Sequence, residues 1–308
     1  RFLGTRKSRL RDECRRAAVN AVHAYEDCSL LSFEEAKRLG KACVYDLPIA
    51  YFPVWQRISA RLRSRFGRWL PSGGADGVPQ ARLAQKRREM ELADFVLVPC
   101  TYVRRTIEDH VDKPVAVAAY GVDLDYWRAP EPKPAGPKLR FIYAGQCSLR
   151  KGIPVLLQAW RAAQLEDATL TLVGPWRLAE SRRLELPPDV TLTGAVSHAR
   201  LREHYRASDV LVFPSFFEGF GLVILEAMAS GLPAITTDAT AGPDIIDVSC
   251  GRIDPAGDVD ALVESLRSFG ANRDRLPAMK KAARARAEAF GWESYRRQLS
   301  SAITGFLR

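Results

Sequence analysis

Apolar positions along this chain of 308 residues come in short blocks that switch between strand and helix period. Apolar runs of strand length fall at 20–26, 41–47, 95–99 and 115–119. Helical spacing fills 30–39, a stretch that closes at Glu91 and Leu92, and 102–110. Strands that alternate with helices predict a parallel sheet covered on both faces. Four prolines between 130 and 137 then break any regular element, as a semi-rigid linker does. Beyond them the alternation restarts, with strands at 139–144, 170–173, 190–192, 210–213 and 234–237. Helices are expected at 153–164, 197–206 with Ser197 as N-cap, 222–229, 259–269 and twice more before the end. The pattern predicts an α/β chain of two Rossmann-like units, with ligands at the C-terminal ends of the strands. The divisions read as 1–128, a linker at 129–138, a second unit at 139–290, and a C-terminal helix at 291–308 placed to cross back to the first unit.

The most informative stretch runs from Phe216 to Pro233: Phe216, Phe217, Glu218, Gly219, Phe220, Gly221, Leu222, then an amphipathic helix through Glu226 to a Gly231–Leu232–Pro233 stop. A glycine turn that opens a helix aims unpaired backbone N–H groups at one point. Glu218 stands on the turn, and Glu226 lies roughly a turn and a half into the helix at about 3.6 residues per turn. Amides suit a diphosphate and carboxylates suit sugar hydroxyls. The combination points to a nucleotide-sugar pocket.

Glu218 and Glu226, with the glycines and the helix between them, resemble the signature block of the family 4 retaining glycosyltransferases, which have the GT-B fold. The resemblance runs from about residue 20 to the C-terminus and is best matched over 139–260. It implies that the first unit is the acceptor side and the second the donor side. It also implies strands ahead of the first one read here, so the N-terminal domain is expected to be incomplete. Carried over position by position, it assigns Glu226 to the ribose hydroxyls and Glu218 to the hexose. The backbone of Gly219, Phe220, Gly221 and Leu222 goes to the diphosphate. Lys151, before Gly152, matches the basic residue that steadies the leaving group. The partner arginine position of the family holds Gln146 here, and Arg150 stands near it. Gly174 matches the turn beside the base. His23, read at the end of the first strand, corresponds to a region where the family has a histidine facing the acceptor, and the next such position, within 46–51, holds none.

Composition narrows the rest. The net charge is +10, and residues 1–90 hold 19 Lys and Arg against 9 Asp and Glu, while the remainder holds 27 of each. The N-terminal part is therefore expected to meet something anionic. Residues 57–70 place Ile58, Leu62, Phe66, Trp69 and Leu70 on one helical face with five arginines around them. That pattern suits an anionic membrane surface, and equally a helix packed on its own domain. Aromatics are not interleaved with the basic residues, which speaks against nucleic acid. The six cysteines are scattered singly, as buried free thiols are. No Asp-x-Asp is present to hold a metal, and the resemblance requires neither metal nor cofactor beyond a nucleoside-diphosphate sugar as co-substrate. The expected activity is metal-independent, retaining transfer of a hexose to a hydroxyl of a glycan or lipid-linked acceptor. The expected site is the cytoplasm or the inner face of the membrane. The alternative is a non-catalytic nucleotide-sugar or glycan binder on the same fold.

Overall fold

A computed structural model describes residues 19–71, 79–128 and 136–308. Most of the expected linker, 129–135, lies outside the described residues. Two parallel sheets organise the chain. The first has four strands in sequential order: β1 (Ala21–Tyr25), β2 (Ala42–Asp46), β3 (Phe95–Val98) and β4 (Val115–Val117). Between them run α1 (Leu30–Arg38), α2 (Phe52–Phe66), α3 (Gln80–Leu92) and α4 (Thr101–Arg105).

The second sheet holds β5 (Leu139–Ala144), β6 (Ala168–Val173), β7 (Val190–Gly194), β8 (Val210–Phe213), β9 (Ala234–Thr237) and β10 (Gly251–Asp254). Its order is β10-β9-β8-β5-β6-β7, so successive connections run outward one way from β5 and then the other way from β8. That is the doubly wound Rossmann order, and the direction reverses between β5 and β8, where a crevice opens at the strands' C-terminal ends. β8 and β9 are buried at every position, as strands covered on both faces must be. The helices here are α5 (Ile153–Ala163), α6 (Glu180–Arg183), α7 (His198–Arg206), α8 (Leu222–Ala229), α9 (Gly242–Ile245), α10 (Val259–Ala271) and α11 (Leu276–Glu288). α10 packs on α5 and α11 on α8.

The last helix, α12 (Trp292–Phe306), leaves the second lobe and covers the first sheet. Leu299, Ala302, Ile303 and Phe306 pack on Val44, Phe95 and Leu97, and the Phe306 ring stacks on Phe95 with centroids 4.7 Å apart. The two crossings between lobes touch one another, because Val122 pairs with Gly291 and its N–H donates to Phe290 O at 2.8 Å.

Several expected bounds shift for local reasons. The helix expected over 102–110 stops at Arg105, because the Thr106 hydroxyl turns back to Val103 O at 2.6 Å while accepting from the Tyr51 N–H at 3.0 Å. α5 stops at Ala163 because Gln164 takes a left-handed conformation, φ +47°. Ser197 caps α7 as expected, its hydroxyl accepting from Arg200 N–H at 3.3 Å. The strand β10 and the short α6 and α9 had no signal in the pattern. The helix expected around residues 57–70 begins at Phe52, and its apolar face is not free: Leu62, Phe66 and Trp69 are buried in the core. What it exposes is a stripe of Arg57, Arg61, Arg65 and Arg68.

Candidate active site

The two strands flanking the crevice each end in a loop that carries chemistry. β5 runs into residues 145–152 and β8 into residues 214–221. The loops are stitched together. Phe216 N–H donates to Arg150 O at 2.9 Å, and Arg150 Nη1 donates to Phe217 O at 2.8 Å. Gly152 makes the approach possible, with φ +77° and a Cβ position that would fall 1.9 Å from Pro214 O. No side chain fits there.

At the centre, Lys151 Nζ is ion-paired to Glu218 Oε1. The Ser215 hydroxyl lies 2.9 Å from the same oxygen and Arg150 Nη1 3.5 Å from it. Glu218 is 6% exposed. The Lys151 ammonium also sits over the Phe213 ring, 4.8 Å from its centroid. Burial pulls Lys151 below the ordinary lysine range, and the Glu218 charge opposes that shift. A lysine so placed is a desolvated positive charge at the point where the strand order reverses, and it acts on an anion more strongly than it would in water.

Above this pair begins α8. Gly221 turns the chain with φ +84°, and Leu222 at the first helical position is 37% exposed. Among the described residues, none accepts from the backbone N–H of Gly219, Phe220, Gly221 or Leu222. The Phe220 side chain itself is buried, its ring 5.5 Å from that of Tyr120. Gly219 has a second role that spacing did not reveal: its Cβ position would fall 1.8 Å from Pro48 O of the first lobe. That side of the turn is covered by protein, and the open side lies at Gly221 and Leu222.

Glu226 stands further along α8, on the side that carries Leu222 and Val223 rather than the buried Ile224, Leu225 and Ala227. Among the described residues no side chain or amide donates to its carboxylate, and burial alone pushes its pKa up to about 7. No ion pair or hydrogen bond joins it to Glu218 or Lys151. Gln146 is exposed at the end of β5, and its carbonyl accepts from the Tyr143 hydroxyl at 2.8 Å. Gly174 ends β6 with its α-carbon against Gly145 O, a packing position between two loops. His23 is the middle residue of β1, not a strand-end residue. Its Nε2 lies 3.1 Å from Asp46 Oδ2, and no contact ties it to the Lys151–Glu218 pair.

The structure therefore brings Glu218, Lys151 and Arg150 into one cluster, joins neither Glu226 nor the Gln146 side chain to it by any contact, and leaves His23 in a separate group with Asp46. Ser215 was missed by the sequence reading. The S-x-x-E spacing to Glu218 is present in the sequence, but the helix is capped only at Gly221, so no capping pattern drew attention to Ser215. Of the cysteines, Cys43, Cys100, Cys147 and Cys250 are buried thiols, Cys28 is exposed, and Cys14 lies outside the described residues. Among the described residues there is no group of three or more His, Cys, Asp or Glu side chains that could hold a metal, and no helix is long and apolar enough to cross a membrane.

Residues 138–272 match the family described as Glycosyl transferases group 1. The match covers the second sheet and the helices α5 to α10 about it, and the molecule as a whole has the GT-B fold. Among curated proteins it is similar to the O-antigen chain mannosyltransferase B of Escherichia coli, 33% identical over 165 residues, 50% of this chain and 42% of that one. It is also similar to the lipopolysaccharide core mannosyltransferase LpsB of Rhizobium meliloti, 28% identical over 225 residues, 65% of this chain and 63% of that one. The chain spans less than two thirds of the length of each of these relatives. Among solved structures, the sucrose-phosphate synthase of Thermosynechococcus elongatus matches with a TM-score of 0.72 at 22% identity, covering 97% of this chain and 77% of that one. Anabaena HepE, solved with UDP and glucose, matches with a TM-score of 0.71 at 16% identity, covering 97% of this chain and 81% of that one.

Proposed function

We propose that this protein is a retaining glycosyltransferase that moves a hexose from a nucleoside-diphosphate sugar to a hydroxyl of a glycan or lipid-linked acceptor. One observation carries the reading: a desolvated Lys151–Glu218 pair at the β5–β8 crevice, beneath a helix start whose N–H groups have no acceptor in the protein. The diphosphate takes the open N–H groups at Gly221 and Leu222. Glu226 accepts from the ribose diol, and Glu218 from hexose hydroxyls. The acceptor oxygen bonds to the anomeric carbon on the face from which the diphosphate departs. The diphosphate leaves with the electrons of the broken C–O bond and takes the acceptor's proton. Lys151 and the helix amides stabilise its negative charge as it forms. Arg150 supplies the second positive charge of the cluster in place of Gln146, through its hold on Phe217 and Glu218. In this reading residues 139–290 are the donor half and 1–128 the acceptor half. The nucleotide sugars and glycans present in the HepE complexes and in a TarM complex support that choice of ligand class.

The test is a screen of uridine-, guanosine- and adenosine-diphosphate sugars by thermal shift, followed by donor hydrolysis and transfer with the shifting donor. Absence of any shift would sink the proposal. The second reading, a binder without turnover, is favoured by two details: the uncharged Gln146, and Pro48 packed over Gly219. Binding with no hydrolysis in the full chain would select it. The exposed arginine stripe of α2 fits an anionic surface on the inner face of a membrane by charge alone, since its apolar residues are committed to the core. Co-sedimentation with vesicles of anionic lipid, abolished by Arg57→Ser with Arg61→Ser and Arg68→Ser, is the expected outcome. Indifference to lipid charge excludes it.

A further inference from the structure

Four consecutive residues of the turn between β8 and α8 are each touched by a different group of the first lobe. The Trp55 ring of α2 lies 5.3 Å from the Phe217 ring. The Ala50 N–H donates to Glu218 O at 3.0 Å. Pro48 O fills the space beside Gly219, and the buried Cys100 thiol donates to Gly219 O at 2.9 Å. Tyr120 packs its ring against Phe220. None of these groups reaches the Glu218 carboxylate, which Lys151 and Ser215 hold from the second lobe. The main chain of this acid is thus fixed by one lobe and its side chain by the other.

We infer that the first lobe is part of the hexose site, and that Trp55 and Cys100 are positioning residues that set the Glu218 peptide and so aim its carboxylate. The inference rests on the reading of Glu218 as the hexose-binding acid. Glu226 has no such dependence, because α8 packs on α11 and on its own sheet. The two ends of a donor are therefore held by different means. The nucleotide is gripped by the second lobe alone, and the sugar only when the lobes are docked.

The readout that separates positioning from general stability is the ratio of two affinities. Binding of UDP-glucose and UDP, and of GDP-mannose and GDP, is measured by calorimetry on the full chain and on Trp55→Ala, Cys100→Val and Cys100→Ser. For the pair that the wild type binds, Trp55→Ala and Cys100→Val raise the Kd of the sugar nucleotide about tenfold and that of the bare nucleotide less than about twofold. Cys100→Ser stays near wild type because a hydroxyl still donates to Gly219 O. Trp55 is partly exposed, so Trp55→Ala carries the test even if Cys100→Val does not fold. Equal losses for both members of the pair, or no loss for either, overturn the inference while leaving the donor reading in place. A wild-type chain that binds neither pair, nor ADP-glucose and ADP measured in the same way, removes the donor reading, and this one with it.

Discussion

The two lobes hold their loops by different means. In the second lobe the central strands β5, β8 and β9 form an apolar slab, and its buried acids stand at strand ends: Asp209 before β8, Asp254 closing β10, Glu218 in the loop. In the first lobe charge runs beneath the sheet. Glu89 of α3, fully buried, accepts from the N–H groups of Asp27, Ser29 and Leu30 and so holds the start of α1. Beside it Lys86 pairs with Glu26 and Asp27. An apolar slab fixes loop geometry by packing and leaves the crevice free to concentrate charge for a ligand. A buried ionic network fixes geometry only while every partner is present, because a buried charge left alone is costly. Each lobe holds a desolvated lysine: Lys86 is closed in by two acids, Glu26 and Asp27, while Lys151 is ion-paired to one, Glu218.

Four measurements would break or sharpen this contrast. The largest effect is expected from Lys151→Ala, which removes the cation of the crevice. Turnover of the donor falls by roughly 10²–10³-fold, measured as kcat for donor hydrolysis. A fall of less than about threefold would deny the lysine any part in stabilising the leaving group. Next comes Glu226→Ala, which raises the donor Kd about 10–100-fold by removing charged acceptors for two hydroxyls, as calorimetry would read. Third is pH. The Glu226 carboxyl, held up at about 7 by burial, is mostly protonated in the free protein below that value. Donor affinity should therefore rise about tenfold between roughly pH 6 and 8 as the carboxylate forms, and Glu226→Gln should flatten the profile. The sign for stability is opposite. The folded state holds this proton more tightly than the unfolded chain, so its stabilising contribution is full below about 4.5 and is lost as pH rises through about 7. The smallest effect is expected from Phe306→Ala, which uncovers Phe95 on the first sheet. It costs about 1–2 kcal/mol for a half-buried ring. Hydrogen exchange should speed up in β3 and leave β8 unchanged.

Strands β5 to β9 of the second lobe, and the glycine turn of its candidate site, were legible because their signals are local. Glu218, Gly221 and Glu226 lie within nine residues of one another, and a helix start must follow a glycine turn in that register. Lys151 was legible only through resemblance, since nothing in the spacing says that residues 151 and 218 meet. The parts that escaped are those made by distant side chains. Ser29 looks like the cap of α1, yet its side chain accepts no cap hydrogen bond and Glu89 holds that helix from about sixty positions away. The face of residues 58–70 gave the right periodicity, but amphipathicity does not say what covers an apolar stripe, and here it is the protein's own core. His23 was placed at a strand end because an apolar run does not mark its own last residue. The role of Gly219 as a contact for Pro48 depends on how two lobes dock, which no single-lobe pattern encodes.

The bridge between Val122 and Gly291 also limits how this molecule can move. The chain passes between lobes twice, and the two passages are pinned side by side at that point, with Gly121 so close to Trp292 that a Cβ would fall 2.5 Å from its backbone nitrogen. The two passages therefore form one joined seam, and a side chain added at Gly121 would force it open before it disturbed either sheet.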